Sequence, residues 1–161
     1  MEVVTSKICR LMESAVKGQM VSDVPIGVLL SGGIDSSIVT AYATKHYSGT
    51  IDTYSAGFDF DKGVNELPMA RKVSDYYKTN HHELIISGNE LPYILEDLAD
   101  HHGVPFGDAA NIPLYLISKE LNGNPKVILQ GDGGDEIFGG YRSYQLLKNY
   151  NFWRMASKFN F

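Results

Sequence analysis

Val28-Leu29-Leu30-Ser31-Gly32-Gly33-Ile34-Asp35-Ser36-Ser37 is an apolar run that breaks at once into glycines and hydroxyl groups around one carboxylate. The pattern is that of a strand handing its chain to a helix. Ile26 to Leu30 has the make-up of a short buried strand, Gly32 and Gly33 let the backbone turn tightly and approach a ligand, and Ser36 and Ser37 can open the next helix. Backbone N–H groups at such a junction point at an anion, so the stretch predicts a polyphosphate cradle. Its spacing is neither GxxxxGK[ST] nor GxGxxG, so neither the Walker nor the dinucleotide reading applies.

Outward from this loop, strand-like and helix-like segments alternate. The opening segment, residues 1–20, carries Val4, Ile8, Leu11, Met12, Ala15 and Val16 at the spacing of one helix face. After Ser37 the helix continues through Ile38, Val39, Ala41 and Tyr42 and stops by Gly49. Ile51 to Gly57 reads as a second strand, Asp59 to Gly63 as a loop, and Asn65 to Tyr77 as a helix. His82 to Ile86 is a third strand, and Asn89 to His101 a helix with Pro92 in its first turn. Gly103 to Asp108 breaks the regular structure, and Asn111 to Leu121 resumes it as a helix. Asn122 to Pro125 end that helix, and Lys126 to Gln130 is a fourth strand running into Gly131-Asp132-Gly133-Gly134-Asp135-Glu136. The alternation predicts an α/β fold, a doubly wound parallel sheet with helices on both faces.

Composition narrows the function classes. A length of 161 residues with 43% apolar side chains suits one domain, 1–161, with a genuine core. A net charge of −5 without a basic stripe gives no footprint for nucleic acid. No apolar run reaches membrane-spanning length. The single cysteine, Cys9, excludes an internal disulfide and cysteine-rich zinc sites, which fits a reducing, cytoplasmic setting; within its amphipathic helix Cys9 reads as a packing residue.

In such a sheet ligands sit beyond the carboxyl ends of strands, and both glycine-rich polar loops begin at expected carboxyl ends. Mg²⁺ is commonly held by one or two carboxylates together with phosphate oxygens and waters. Asp35 from the first loop and Asp135 from the second are therefore the candidate metal ligands. Each loop alone is also an ordinary turn pattern, and their recurrence at equivalent strand ends favours a site. The histidine pairs His81-His82 and His101-His102 lack metal-ligand spacing and read as structural, the second pair complementing a helix dipole. Tyr141, Tyr144, Tyr150 and Phe152 read as packing residues.

Ser31-Gly32-Gly33-Ile34-Asp35-Ser36 resembles the SGGxDS pyrophosphate loop of the N-type ATP pyrophosphatases, a superfamily that includes GMP, NAD and argininosuccinate synthetases and tRNA-modifying enzymes. Val24 to Ser37, His81-His82-Glu83, Pro105 to Asp108 with Ile112 to Ser118, and Gly131 to Tyr141 occur here in the order found in the synthetase domain of glutamine-hydrolysing asparagine synthetases. The match runs from about Val21 to Tyr144, and the Gly131 to Tyr141 segment narrows it to that branch, which includes β-lactam synthetase-like members. The resemblance implies an adenine nucleotide alpha hydrolase-like fold and a carboxylate-activating ligase. ATP adenylates the side chain of aspartate, pyrophosphate leaves, and ammonia displaces AMP. Leu30, Ser31, Gly32, Gly33, Asp35, Ser36 and Ser37 carry over as ATP and pyrophosphate contacts, and Leu30, Ala56, Gln130 and Gly131 match positions that hold adenine and ribose. Asp132 and Asp135 carry over as catalytic positions, Asp132 standing where the family commonly has glutamate. ATP and Mg²⁺ are the implied ligands, and an N-terminal glutaminase domain the implied partner.

The same resemblance marks departures. Glu2 stands where the glutaminase half has its nucleophilic cysteine, so no glutamine hydrolysis is expected of this chain. The helical region that in the family bears a catalytic lysine is expected beyond Phe161, so the chain reads as a truncated synthetase domain with 145–161 opening that region. Phe152, Trp153, Met155, Phe159 and Phe161 would form an apolar patch there, a route to association as a homodimer. Three other readings remain open: a nucleotide-binding module without complete catalysis, a ligase acting on another carboxylate, and a tRNA-modifying enzyme.

Overall fold

The computed structural model describes residues 2–59, 65–104, 107, 110–123, 125–141, 143, 144, 150 and 154. Most of the expected loop after Asp59, Asp108 with its neighbours Pro105 and Phe106, and the apolar tail side chains of 152–161 lie outside the described residues. The chain divides into two compact units, Met1–Gln130 and Gly131–Phe161.

The first unit holds a four-stranded parallel sheet in the order β3-β2-β1-β4, with β1 at Ile26–Leu29, β2 at Asp52–Phe58, β3 at Asn80–Ile86 and β4 at Val127–Leu129. Its helices are α1 (Glu2–Gln19), α2 (Ile34–His46), α3 (Leu67–Tyr77), α4 (Leu91–His102) and α5 (Asn111–Leu121). The parallel register sets Gly27 beside Asp52 and Tyr54 beside His82, so alternate residues of each strand share a face. On one face Val28, Val39, Ala43, Ile51 and Val16 form a buried cluster that Leu129 packs against, which seats α1 and α2. On the other, Ile86 clusters with Ile94 and Leu98 of α4 and with Ile112, Tyr115 and Leu116 of α5, and Ala56 joins it. Helices therefore cover both faces, the arrangement that a purely parallel sheet requires. Val28, Leu30, Ile51 and Ile86 are each almost fully buried, worth about 1.5–3 kcal/mol apiece.

Several boundaries move. β3 begins at Asn80, two residues before the expected start, because the Asn80 N–H donates to the Ile51 carbonyl at 2.9 Å and extends the ladder. α4 starts at Leu91 with Pro92 in its first turn. On α1 only Val16 is buried and Ile8 and Met12 half-buried, while Val4 and Leu11 of the expected face are exposed. Much of that helix's attachment is polar: Glu13 reaches Lys45 at 2.6 Å and His46 at 2.8 Å on α2. Cys9 is exposed instead of packed, beside the Tyr42 hydroxyl.

Beneath α3 runs a chain of hydroxyls. Thr53 Oγ1 shares hydrogen bonds with Thr79 Oγ1 at 2.7 Å and His81 Nδ1 at 2.9 Å, and Thr79 donates to Ser74 Oγ at 2.8 Å. The His81 side chain is only 10% exposed, and its Nε2 has no hydrogen-bond partner among the described residues, lying 3.5 Å from a Glu83 oxygen. Burial holds His81 below the usual histidine value, an effect that Glu83 opposes and Arg71 and His82 reinforce. Between about pH 6.5 and that lowered value the unfolded chain binds a proton that the folded chain refuses, so stability falls as pH falls through this window. Chemical denaturation across that range should show the decline in the wild type and a flatter profile in His81→Gln. Equal slopes would refute the assignment.

Candidate functional site

The Ser31–Ser37 loop follows β1 at its carboxyl end, in the middle of the sheet. Leu30 is held from two sides: its N–H donates to the Tyr54 carbonyl at 2.8 Å, and the buried Ser55 hydroxyl donates to its carbonyl. The residue ending the strand is thus fixed to β2 before the chain turns.

Serine hydroxyls then close the loop on itself. The Ser31 N–H donates to Ser36 Oγ at 3.2 Å, the two hydroxyls share a hydrogen bond at 3.0 Å, and the Gly33 N–H donates to Ser31 Oγ at 3.2 Å. The hydroxyls of Ser36 and Ser37 both donate to the Gly33 carbonyl, at 3.2 and 2.6 Å. Ser31, Gly33, Ser36 and Ser37 are therefore one hydrogen-bonded unit. Gly33 is the N-cap of α2, and among the described residues no side chain caps that helix, so the leading N–H groups of its first turn are available to an anion. Asp35 sits in that first turn, half-buried, and its carboxylate makes no hydrogen bond or ion pair among the described residues.

Gly32 has φ +81°, a conformation L side chains rarely adopt, and lies against the first turns of α3. A Cβ there would come within 2.6 Å of the Ala70 nitrogen and 2.8 Å of the Met69 carbonyl carbon. Ser55 and the Met69–Ala70 backbone are parts of the loop's support that the sequence reading missed. The signal for Ser55 was present in β2, where Thr53, Ser55 and Gly57 put small or hydroxylated residues at period 2 on one face.

Ala56, expected beside adenine, is half-buried on the opposite face of β2 against the Ile86, Ile94 and Leu98 cluster. Gln130 is the exposed residue next after β4.

Gly131, Asp132 and Asp135 belong to the second unit. There Gly133, at φ +91°, caps the short helix α6 (Gly134–Phe138), and the Gly140 N–H donates to the Asp135 carbonyl at 2.9 Å. Asp132 is exposed, and Asp135 lies half-buried in the first turn of α6. Tyr141 and Tyr150 are exposed instead of packed. The Tyr141 hydroxyl donates to Glu136 at 2.8 Å, and this bond, with the negative charge behind it, pushes the phenol up to about 12. Among the described residues no group of three or more His, Cys, Asp or Glu side chains is placed to hold a metal ion. None of the described helices is long and apolar enough to cross a membrane.

Comparison with known proteins follows the same lines. A Campylobacter jejuni NH3-dependent NAD synthetase, solved with a nitrate ion, superposes with a TM-score of 0.51 at 16% identity, over 87% of this chain and 60% of that one. That likeness shows the fold. In sequence the chain is 36% identical over 151 residues to a putative glutamine-hydrolysing asparagine synthetase 2 of Methanocaldococcus jannaschii, and 37% identical over 131 residues to glutamine-hydrolysing asparagine synthetase 1 of Bacillus subtilis. Those alignments take in 93% and 81% of this chain but only 29% and 20% of the relatives' own lengths. The asparagine synthase family model matches residues 7–160, and the chain belongs to that family.

Proposed function

We propose that this chain is the ATP-splitting part of an amide-forming ligase that makes asparagine from aspartate and ammonia. The observation that carries the reading is the serine-closed loop at the end of β1, set before the uncapped N-terminus of α2. In the reaction an aspartate side-chain oxygen attacks the α-phosphorus of ATP, and the bond to the bridging oxygen breaks as pyrophosphate departs. Ammonia then forms the C–N bond, gives up a proton, and AMP leaves with its oxygen. Negative charge grows on the departing pyrophosphate, and N–H donors fixed in advance stabilise it without reorganising.

Within this reading Ser31, Gly32, Gly33, Ser36 and Ser37 receive the β- and γ-phosphates, and Leu30 and Gln130 flank the nucleoside, while Ala56 packs away from it against Ile86, Ile94 and Leu98. Mg²⁺, which neutralises charge on the phosphates when bound, fits the donor chemistry of Asp35, a hard oxygen ligand with no partner among the described residues, in the first turn of α2. A single carboxylate suffices because the nucleotide and water supply the remaining oxygens. Asp132 and Asp135, in the second unit, are the proposed catalytic positions. In the longer protein an N-terminal glutaminase domain supplies the ammonia.

Calorimetric titration with Mg·ATP tests the reading. Asp35→Asn, which keeps shape and removes charge, should weaken binding about tenfold or more, the loss expected when a charged ligand contact worth roughly 1.5–3 kcal/mol disappears. Unchanged affinity would sink it.

A further inference from the structure

We propose that a second site, on the α5 side of the sheet and at the amino ends of its strands, binds a small organic cation, an amine or a guanidinium. A cavity of about 520 Å³ lies there. It is bounded by Pro25 before β1, Asp52 at the start of β2, Pro125 before β4, and Ile117, Glu120 and Leu121 of α5. The Ser31–Ser37 loop is at the other end of β1, so the two sites are separate. The volume falls within the range of small-molecule pockets, and the lining has their make-up, apolar and aromatic walls with a few polar groups.

The acids on the lining are Asp52, Glu83 and Glu120, and the one basic group among the described lining residues is His82, paired with Asp52. Asp52 is fixed by His82 Nε2 at 2.9 Å and by the Asn80 amide, which leaves its second oxygen available. Glu120 has no partner among the described residues, and no Lys or Arg is among the described lining residues. The last turn of α5 adds the partial negative charge of its free carbonyls. Glu83 also borders the cavity, but its carboxylate is engaged by Arg71 on the opposite face.

A stacked aromatic pair lines the same cavity. The rings of Tyr54 and His82 stack with centroids 4.8 Å apart and planes 13° from parallel. The Tyr54 hydroxyl has no hydrogen-bond partner among the described residues. An aromatic face beside carboxylates attracts a cation through its quadrupole and suits the planar guanidinium best. Gly27 helps keep the space open, since a Cβ there would stand 2.7 Å from Tyr54 Cε2 and 2.9 Å from Pro125 Cγ.

The test is an NMR titration of the 161-residue chain with n-butylguanidinium and, in parallel, n-butylurea, a neutral molecule of nearly the same shape. The guanidinium should shift the amide signals of Tyr54, His82, Ile117 and Glu120 and saturate, whereas the urea should bind far more weakly. Asp52→Asn and the exposed Glu120→Gln should each weaken the guanidinium by about threefold to tenfold, as loss of one partly exposed charge predicts, with Mg·ATP titration unchanged. Equal binding of the urea, no response in either variant, or shifts confined to Ser31–Ser37 would overturn the proposal.

Discussion

Gly32→Ala should cost the protein both stability and its grip on nucleotide. The added methyl group meets two penalties. At φ +81° a side chain clashes with its own backbone, and its Cβ also drives into the Ala70 nitrogen and Met69 carbonyl carbon, which cannot rotate away. Together the effects should lower unfolding free energy by about 2–4 kcal/mol. Relief comes only by moving the loop off α3, which breaks the alignment of Ser31 with Ser36, so Mg·ATP affinity should fall more than tenfold in the fraction that remains folded. Gly33→Ala is the control. Its φ is −68° and the one close neighbour of a new Cβ is the Ser31 hydroxyl oxygen at 3.2 Å, a side-chain end that needs to give by only a few tenths of an ångström, so its unfolding midpoint should stay close to wild type. Urea unfolding and calorimetry on the pair decide the matter, and indistinguishable behaviour of the two variants would remove the argument.

Gly27→Val should separate stability from binding. Gly27 is buried in β1 between two partner strands, and a Cβ would stand 2.7 to 2.9 Å from Tyr54, Ile128 and Pro125. With contacts on three sides no single rotamer change opens room, and overpacking of this kind costs about 1–3 kcal/mol. The strain falls at the amino half of β1, away from the loop. A lowered thermal midpoint with Mg·ATP affinity close to wild type is the expected pair of results. A stability unchanged within error would mean that the surrounding side chains yield freely.

The strand-to-helix junction was readable because its two signals, an apolar run and a burst of glycine and serine, are local. The alternation of elements was readable for the same reason, since a parallel sheet forces helices between strands. What escaped was support that crosses between elements. Gly32 could be read as permitting a tight turn, but not as a seat for α3, because Met69 and Ala70 are distant in sequence and contribute only backbone. Ser55 resembles any hydroxyl in a strand until Leu30 is beside it. On α1, periodicity marked one apolar face correctly in phase, yet Val4 and Leu11 stay exposed because spacing does not tell where a partner helix ends. Cys9 and Tyr141 follow the same rule: side-chain type suggested packing, and position in the fold left them at the surface.

The strand order β3-β2-β1-β4 also governs when the molecule can be finished. β1 meets β2 soon after both leave the ribosome, but its other edge waits for β4, which pairs Ile26 with Val127 across about one hundred residues of chain. Such distant pairing raises the contact order and slows folding. Until Val127 emerges, β1 presents open hydrogen-bonding groups and a buried-type sequence, a template for other nascent copies. Translation pauses before that point would therefore lengthen the interval of greatest exposure to aggregation, and chaperone dependence should track the arrival of β4 more closely than that of the Ser31–Ser37 loop.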